Sequence, residues 1–141
     1  MVTFLFKTEP GAYSFERLLA EKRAVWDGIA NNAALAALRA ARKGDEVLVY
    51  HTGDVKAIVG LASVLTNAYP DPNHPGLTED GLPRTPVVDI APVRAAKSPV
   101  SLAQIKADRR FRDFALVKQS RLSVMPVPPS LDNLLRQLTG L

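Results

Sequence analysis

Apolar residues occur along the chain in five short runs that have the character of β-strands. Residues 2–7 are apolar at almost every position, which is typical of a central strand buried on both faces. The other runs cover residues 46–51, 57–65, 86–94 and 122–127. Gly60 interrupts the third run, and a glycine inside a strand predicts a β-bulge or the close approach of another backbone.

Helix signals fall between these runs. Ser101 begins a capping box, and leucines spaced i, i+3, i+4, i+7 between residues 131 and 138 predict a terminal helix that packs on the core. Two further helices are predicted after Ser14 and after Asn31 or Asn32, because these side chains cap helix N-termini.

The resulting order, β-α-α-β-β-loop-β-α-β-α, predicts a mixed α/β fold of the α+β class. Because about five such strands are too short for a wide open sheet, we expect a small mixed β-barrel with flanking helices. No linker or repeat interrupts residues 1–141, which predicts one domain. Residues 66–86 hold five of the 11 Pro residues. A loop of this length is either a functional lid or a disordered segment.

The stretch 25–53 concentrates the rare side chains. It holds the only Trp, Trp26, together with Tyr50 and one of the two His, His51. A tight turn is predicted at Trp26 and Gly28, since Gly adopts positive φ without steric cost. An aromatic residue, a turn, a helix N-terminus and a strand that ends in Tyr-His are more typical of a site than of a scaffold. A Trp taken alone is more often a core residue than a stacking platform.

The composition excludes several classes of site. The chain has no Cys, which rules out disulfides, thiolate catalysis and Cys-type zinc sites. With two His, a His-rich metal site is not expected, and we predict no metal and no cofactor. No apolar run approaches the ~18 residues of a membrane span. Residues 1–7 lack the features of a signal peptide, so we expect a cytoplasmic protein with no membrane partner.

Positive charge is concentrated in one segment. The chain carries a net charge of +4, but residues 94–121 contain eight basic residues against Asp108 and Asp113, a net +6. The basic residues are Arg94, Lys97, Lys106, Arg109, Arg110, Arg112, Lys118 and Arg121. Such clustering is typical of a phosphate-binding surface, although a solvated helix face has the same composition.

Polar residues at predicted strand ends are the remaining candidates for chemistry. The phosphate-loop, dinucleotide, serine-hydrolase and zincin motifs are all absent. Strand alternation places Lys7 and Glu9 on one face, where they form either a structural ion pair or a catalytic pair, and Thr8 on the other. Three further polar residues, Gln119, Ser120 and Arg121, lie at the end of the basic segment.

Six motifs in fixed order resemble the EVE domain family. They are Lys7-Thr8-Glu9-Pro10, Val25-Trp26-Asp27-Gly28-Ile29-Ala30-Asn31, Tyr50-His51-Thr52-Gly53, Ile58-Val59-Gly60, Ala68-Tyr69-Pro70-Asp71 and Gln119-Ser120-Arg121-Leu122-Ser123-Val124. The family patterns are K-[ST]-E-P, W-D-G-V-R-N, K-x-G-D, Y-H-[ST] and R-Q-S-R-L-S-V. The resemblance covers nearly the whole chain.

The resemblance implies a PUA-like fold and a non-enzymatic module that binds DNA or RNA carrying a modified base. Such a base is flipped into a cage at the barrel mouth, where it stacks on an aromatic side chain. The residues implied to form the site are Lys7, Thr8, Glu9, Trp26, Gly28, Asn31, Tyr50, His51, Ser120 and Arg121. The residues expected to hold the nucleic-acid backbone are Arg94, Lys97, Arg109, Arg110, Arg112 and Lys118.

The chain departs from the family pattern around this cage. The usual Arg before Asn31 is Ala30, the Tyr-Gln-Ala that commonly follows is Asn-Ala-Ala at 32–34, and the N-terminal Trp is Phe4. The aromatic residue usual before the V-D-V strand is also missing, with Thr-Pro at 85–86. The cage is therefore expected to have one wall fewer.

Two other functions stay open. PUA-like hydrolases of acylated cytidine use a Lys, a Thr and a Glu, and Lys7, Thr8 and Glu9 supply those types. Strand alternation argues against their joint action, since it turns Thr8 away from the other two. The second alternative is a small-metabolite sensor in which the loop 66–86 closes over the pocket.

Overall fold

The computed structural model describes all 141 residues. Its strands are β1 (Thr3–Thr8), β2 (Ala24–Trp26), β3 (Glu46–His51), β4 (Ala57–Val64), β5 (Tyr69–Pro70), β6 (Pro86–Ser101) and β7 (Val124–Val127). Its helices are α1 (Phe15–Glu21), α2 (Asn32–Arg39), α3 (Leu102–Ala107), α4 (Ala115–Lys118) and α5 (Pro129–Thr139), with a single 3-10 turn at Arg109–Phe111. None of these helices is long and apolar enough to cross a membrane.

Six strands form a curled half-barrel in the order β2-β6-β4-β3-β1-β7, and β5 pairs with the first two residues of β6. Strands β1 and β3 run parallel, whereas the other pairs are antiparallel. The predicted mixed α/β class with flanking helices is confirmed. The number of strands was underestimated, because β2 and β5 have three and two residues, too few for a recognisable alternation.

Strand β1 is central, because it lies between β3 and β7. Phe4, Leu5 and Phe6 are accordingly almost completely buried, on both faces of the sheet. They belong to a core of 29 buried hydrophobic residues. Helix α5 contributes less of its leucine stripe than the spacing predicts: Leu135 is buried, but Leu138 is exposed.

The β-bulge predicted at Gly60 is present, and the close contact at this residue is made by a side chain, not by a second backbone. The register between β4 and β6 shifts between Ile58 and Gly60, as in a β-bulge. The ring of Phe15, at the start of α1, packs directly on the Gly60 backbone, where a Cβ atom would overlap it. Gly60 therefore makes room for helix α1 to pack against the sheet.

The segment around Trp26 differs from the predicted tight turn. Trp26 is the last residue of a short edge strand, β2, and Gly28 takes the left-handed conformation (φ 75°) just beyond it.

The loop 66–86 packs beside helix α2. The Arg39 guanidinium donates hydrogen bonds to the carbonyls of Pro83 (2.8 Å) and Arg84 (3.2 Å).

Candidate functional site

A cleft of about 310 Å³ opens where the C-terminal end of β1 faces strand β2. Strands β1 and β2 are not neighbours in the sheet, since three strands separate them. The curl of the half-barrel brings them together. The residues that line the cleft are Lys7, Thr8, Glu9, Tyr13, Ala24, Val25, Trp26, Asp27, Gly28 and Ile29. It thus unites five residues of the sequence-predicted site.

Trp26 forms the inner wall of this cleft and is also part of the core. Only 7% of its surface is exposed. Its ring lies 5.4 Å from that of Phe6 at an interplanar angle of 31°, and 6.2 Å from that of Tyr13 at 85°. The indole is thereby fixed in one orientation before any ligand arrives.

Tyr13 is a second aromatic wall that the sequence interpretation missed. The half-buried ring is held by two contacts: its hydroxyl donates to Glu21 Oε1 (2.8 Å), and the Arg17 guanidinium lies 5.0 Å over its face. The backbone carbonyl of Tyr13 also accepts a hydrogen bond from Thr8 Oγ1 (2.6 Å). Burial, reinforced by the Glu21 carboxylate, raises the pKa of Tyr13 to about 12. The one available signal was an aromatic residue in the loop directly after the Lys-Thr-Glu-Pro motif.

The polar residues at the end of β1 are each bound to backbone. Lys7 Nζ donates to the carbonyl of Ser120 (3.0 Å), and Glu9 Oε2 accepts from the amide of Ala12 (3.0 Å). Lys7 and Glu9 form no ion pair with each other, so the structural pairing allowed by the sequence is not present. Burial lowers the pKa of the Lys7 ammonium group, so this lysine is partly desolvated at the rim of the cleft.

Tyr50 and His51 are placed apart although they are adjacent in sequence. His51 is buried, and its Nε2 accepts a hydrogen bond from the amide of Phe15 (3.0 Å), so it anchors the start of α1 and does not line the cleft. Tyr50 is the register partner of Lys7 across β1 and β3, and Lys7 Nζ lies 5.8 Å from the centre of its ring. Burial raises the pKa of Tyr50.

Two further depressions hold four of the other predicted site residues, and the cleft is counted as the first of the three concavities. The second depression has a volume of about 290 Å³, contains Tyr50 and shares Lys7 with the cleft. The third, also about 290 Å³, contains Asn31 and Arg121, and shares Ser120 with the second. Asn31 caps helix α2 by accepting from the amide of Ala34 (3.0 Å). Its side-chain oxygen is thus engaged in the cap.

The basic segment is spread over more than one face. Arg94 donates to the carbonyl of Leu141, and Lys97 packs on Gly140, so both lie beside the end of α5. At the 3-10 turn, Arg110 forms an ion pair with Asp108 at 2.7 Å. Lys118 lines the third depression. The remaining two residues of the predicted backbone set are exposed, namely Arg109 and Arg112.

Residues 2–138 match the model of the EVE domain family. Human thymocyte nuclear protein 1 is 28% identical over 88% of this chain and 68% of its own length, and the rat protein of the same name is 29% identical over 88% and 67%.

Solved structures of similar chains agree in fold. A protein from Rhodopseudomonas palustris has a TM-score of 0.88 at 36% identity, covering 99% of this chain and 94% of its own. The human THYN1 protein, solved in complex with DNA containing 5-methylcytosine, has a TM-score of 0.81 at 29% identity, covering 97% of both chains.

Proposed function

The chain belongs to the EVE domain family, and from this membership and the aromatic cleft we propose that it binds DNA carrying a methylated cytosine. The base would be turned out of the double helix and held in the cleft beside Trp26 and Tyr13. The human relative solved with 5-methylcytosine DNA supports this choice of ligand. A non-enzymatic reader is thus our proposal, and its cytoplasmic location stays a prediction.

The observation that carries the proposal is the pair of aromatic rings at one small cleft. A volume of about 310 Å³ lies at the lower end of the range for ligand pockets, about 300–1,000 Å³, which favours a single base over a larger metabolite. Stacking on an aromatic side chain is worth roughly 1–3 kcal/mol per base. That gain offsets much of the few kcal/mol that flipping a base costs.

The rim supplies groups that complement a cytosine edge. The Glu9 carboxylate is an acceptor for the exocyclic amine, which is the usual partner of an acidic side chain in cytosine recognition. Lys7 is a donor for the ring carbonyl. The apolar side chains of Ala24, Val25 and Ile29 line the same cleft and offer a surface for the 5-methyl group. Tyr13 would supply the aromatic wall that the departures from the family pattern remove.

The direct test measures binding of duplexes that differ by one methyl group, by fluorescence anisotropy at fixed salt. We expect the 5-methylcytosine duplex to bind roughly fourfold more tightly than its unmodified counterpart, since a buried methyl group contributes about 0.8 kcal/mol. Equal affinity for both duplexes would contradict the proposal. A matched RNA serves as a third arm, and tighter binding there would make RNA the polymer.

The hydrolase alternative receives less support from the geometry. Thr8 donates its hydroxyl proton to the backbone carbonyl of Tyr13, so that proton is shared with neither Lys7 nor Glu9 as a base. Lys7 does have a lowered pKa, a property that a lysine general base requires. Turnover of acylated cytidine that disappears in Lys7→Ala would establish catalysis.

A further inference from the structure

The second depression has a charge pattern that the cleft lacks. Lysines from three different elements surround it: Lys7 at the end of β1, Lys56 in the β3–β4 loop and Lys106 in α3. No acidic residue lines it. Its other lining residues are Tyr50, Thr52, Gly53, Leu102, Leu116, Val117 and Ser120.

None of the three lysines forms an ion pair within the chain. This distinguishes them from other basic residues nearby, since Arg110 pairs with Asp108 and Lys118 with Asp113. Unpaired like charges around one concavity repel each other and create a positive potential. An anion in the concavity would relieve that repulsion.

The backbone fixes the position of Lys56 relative to helix α3. Lys56 is one of two non-glycine residues with positive φ, at 48°, a conformation more usual for Gly or Asn. Its carbonyl accepts the amide of Leu102 (2.8 Å), which ties the loop to the first turn of α3, the helix that carries Lys106. The loop therefore holds a lysine beside α3 although a glycine would be less strained at this position.

We propose that this depression binds a phosphodiester of the DNA backbone, adjacent to the nucleotide whose base enters the cleft. Lys7 connects the two places, because it lines both the cleft and the depression. The hydroxyl groups of Tyr50 and Thr52 add neutral donors for phosphate oxygens. The inference rests on the proposed function, and it assigns phosphate contact to Lys56, which lies outside the basic segment 94–121.

The test compares two double variants that remove the same charge. Lys56→Gln with Lys106→Gln alters the depression. Lys22→Gln with Lys43→Gln is the matched control, because Lys22 is the other residue with positive φ (68°) and neither residue lines the cleft or its neighbouring depressions. Binding to methylated and unmethylated duplexes is measured as a function of salt concentration, with thermal unfolding to check the fold of each variant.

Each lost phosphate contact lowers the slope of log K against log salt by about 1. Because both lysines contact the same phosphodiester, we expect the slope of the Lys56/Lys106 variant to fall by about 1, with affinity for both duplexes reduced by the same factor. The preference for methylated DNA should persist, and the control should keep the wild-type slope. Replacing Lys56 and Lys106 with Arg should also keep the wild-type slope, because both positive charges remain.

The outcomes separate the two proposals. If wild-type protein prefers methylated DNA but both double variants show the same slope, the phosphate site is wrong and the reader function stands. A loss of methyl preference in the Lys56/Lys106 variant would also overturn the phosphate site, since those lysines would then contribute to recognition of the base. If wild-type protein binds neither duplex, the proposed function fails and the phosphate site with it.

Discussion

The rings of Phe6 and Trp26 lie 5.4 Å apart although three strands separate β1 from β2 in the sheet. This contact packs strand β2 against strand β1 across the interior of the curled half-barrel. The Trp26 indole thus belongs both to the hydrophobic core and to the lining of the cleft. Stability and the proposed ligand binding are coupled at this residue, so a loss of binding on its truncation must be separated from a loss of stability.

We predict that Trp26→Ala destabilises the protein by about 3–5 kcal/mol, as expected for truncation of a buried aromatic side chain. Urea unfolding followed by circular dichroism measures the loss. Val25→Ala is the matched control on the same strand, because Val25 is exposed and its truncation should change stability by less than about 0.5 kcal/mol. An equal, small effect in both variants would mean that Trp26 does not hold strand β2 against strand β1.

Gly60 and Phe15 form a second coupled pair. A Cβ atom at Gly60 would overlap the Phe15 ring, so Gly60→Ala should destabilise the fold by about 1–3 kcal/mol through overpacking. Phe15→Leu should also destabilise alone, but the double variant should be more stable than the sum of the two losses predicts. Strict additivity in urea unfolding would contradict the contact.

The sequence anticipates features set by local chemistry and misses those set by the curl of the half-barrel. Gly60 and the core strand β1 were predictable, because a glycine inside an apolar run and a continuous apolar segment each have few explanations. Strand β2 was not, since its three residues are recognisable only once they pair with β6. Tyr13 was missed because a loop, not a periodic element, carries it to Trp26.

Motif adjacency was also a poor guide to the shape of the site. Tyr50 and His51 are consecutive in one motif, but strand alternation sends them to opposite faces. Tyr50 meets Lys7, whereas His51 meets the amide of Phe15. A motif in a strand therefore combines a residue that lines a surface depression with a structural one, and sequence alone does not separate them.

His51 provides a test of that separation. His51→Leu removes the acceptor for the buried Phe15 amide, and an unsatisfied buried donor costs about 1–3 kcal/mol. We expect lower stability in urea unfolding but an unchanged dissociation constant for 5-methylcytosine DNA under conditions where the variant is folded. Weaker binding at full stability would instead place His51 in the ligand site.

Asp89 predicts a loss of stability in acid. Burial alone would raise the pKa of this carboxyl, but hydrogen bonds from Tyr69 and Arg23 outweigh burial and lower it below its usual value. A lowered folded-state pKa stabilises the fold above the unfolded value of about 3.9, and this contribution is lost as the pH falls through the lower folded value.

Asp89→Asn should therefore be less stable than wild type at pH 7, and the difference should shrink below about pH 4. Urea midpoints measured across this range provide the comparison. Asp113→Asn, which removes an exposed carboxylate (side chain 77% exposed), should follow the wild-type profile. A difference between Asp89→Asn and wild type that stays constant with pH would contradict the linkage.

Tyr13 provides the sharpest test of the aromatic cleft, because its half-buried ring can be removed at less cost to the core than Trp26. Tyr13→Ala should weaken binding of 5-methylcytosine DNA by about 5- to 150-fold, the equivalent of roughly 1–3 kcal/mol of stacking. Tyr13→Phe keeps the ring and loses only the hydrogen bond to Glu21, so its affinity should stay within about threefold of wild type on the same stacking scale. Equal losses in both variants would assign the effect to the hydroxyl group, and unchanged binding in Tyr13→Ala would show that the base does not stack there.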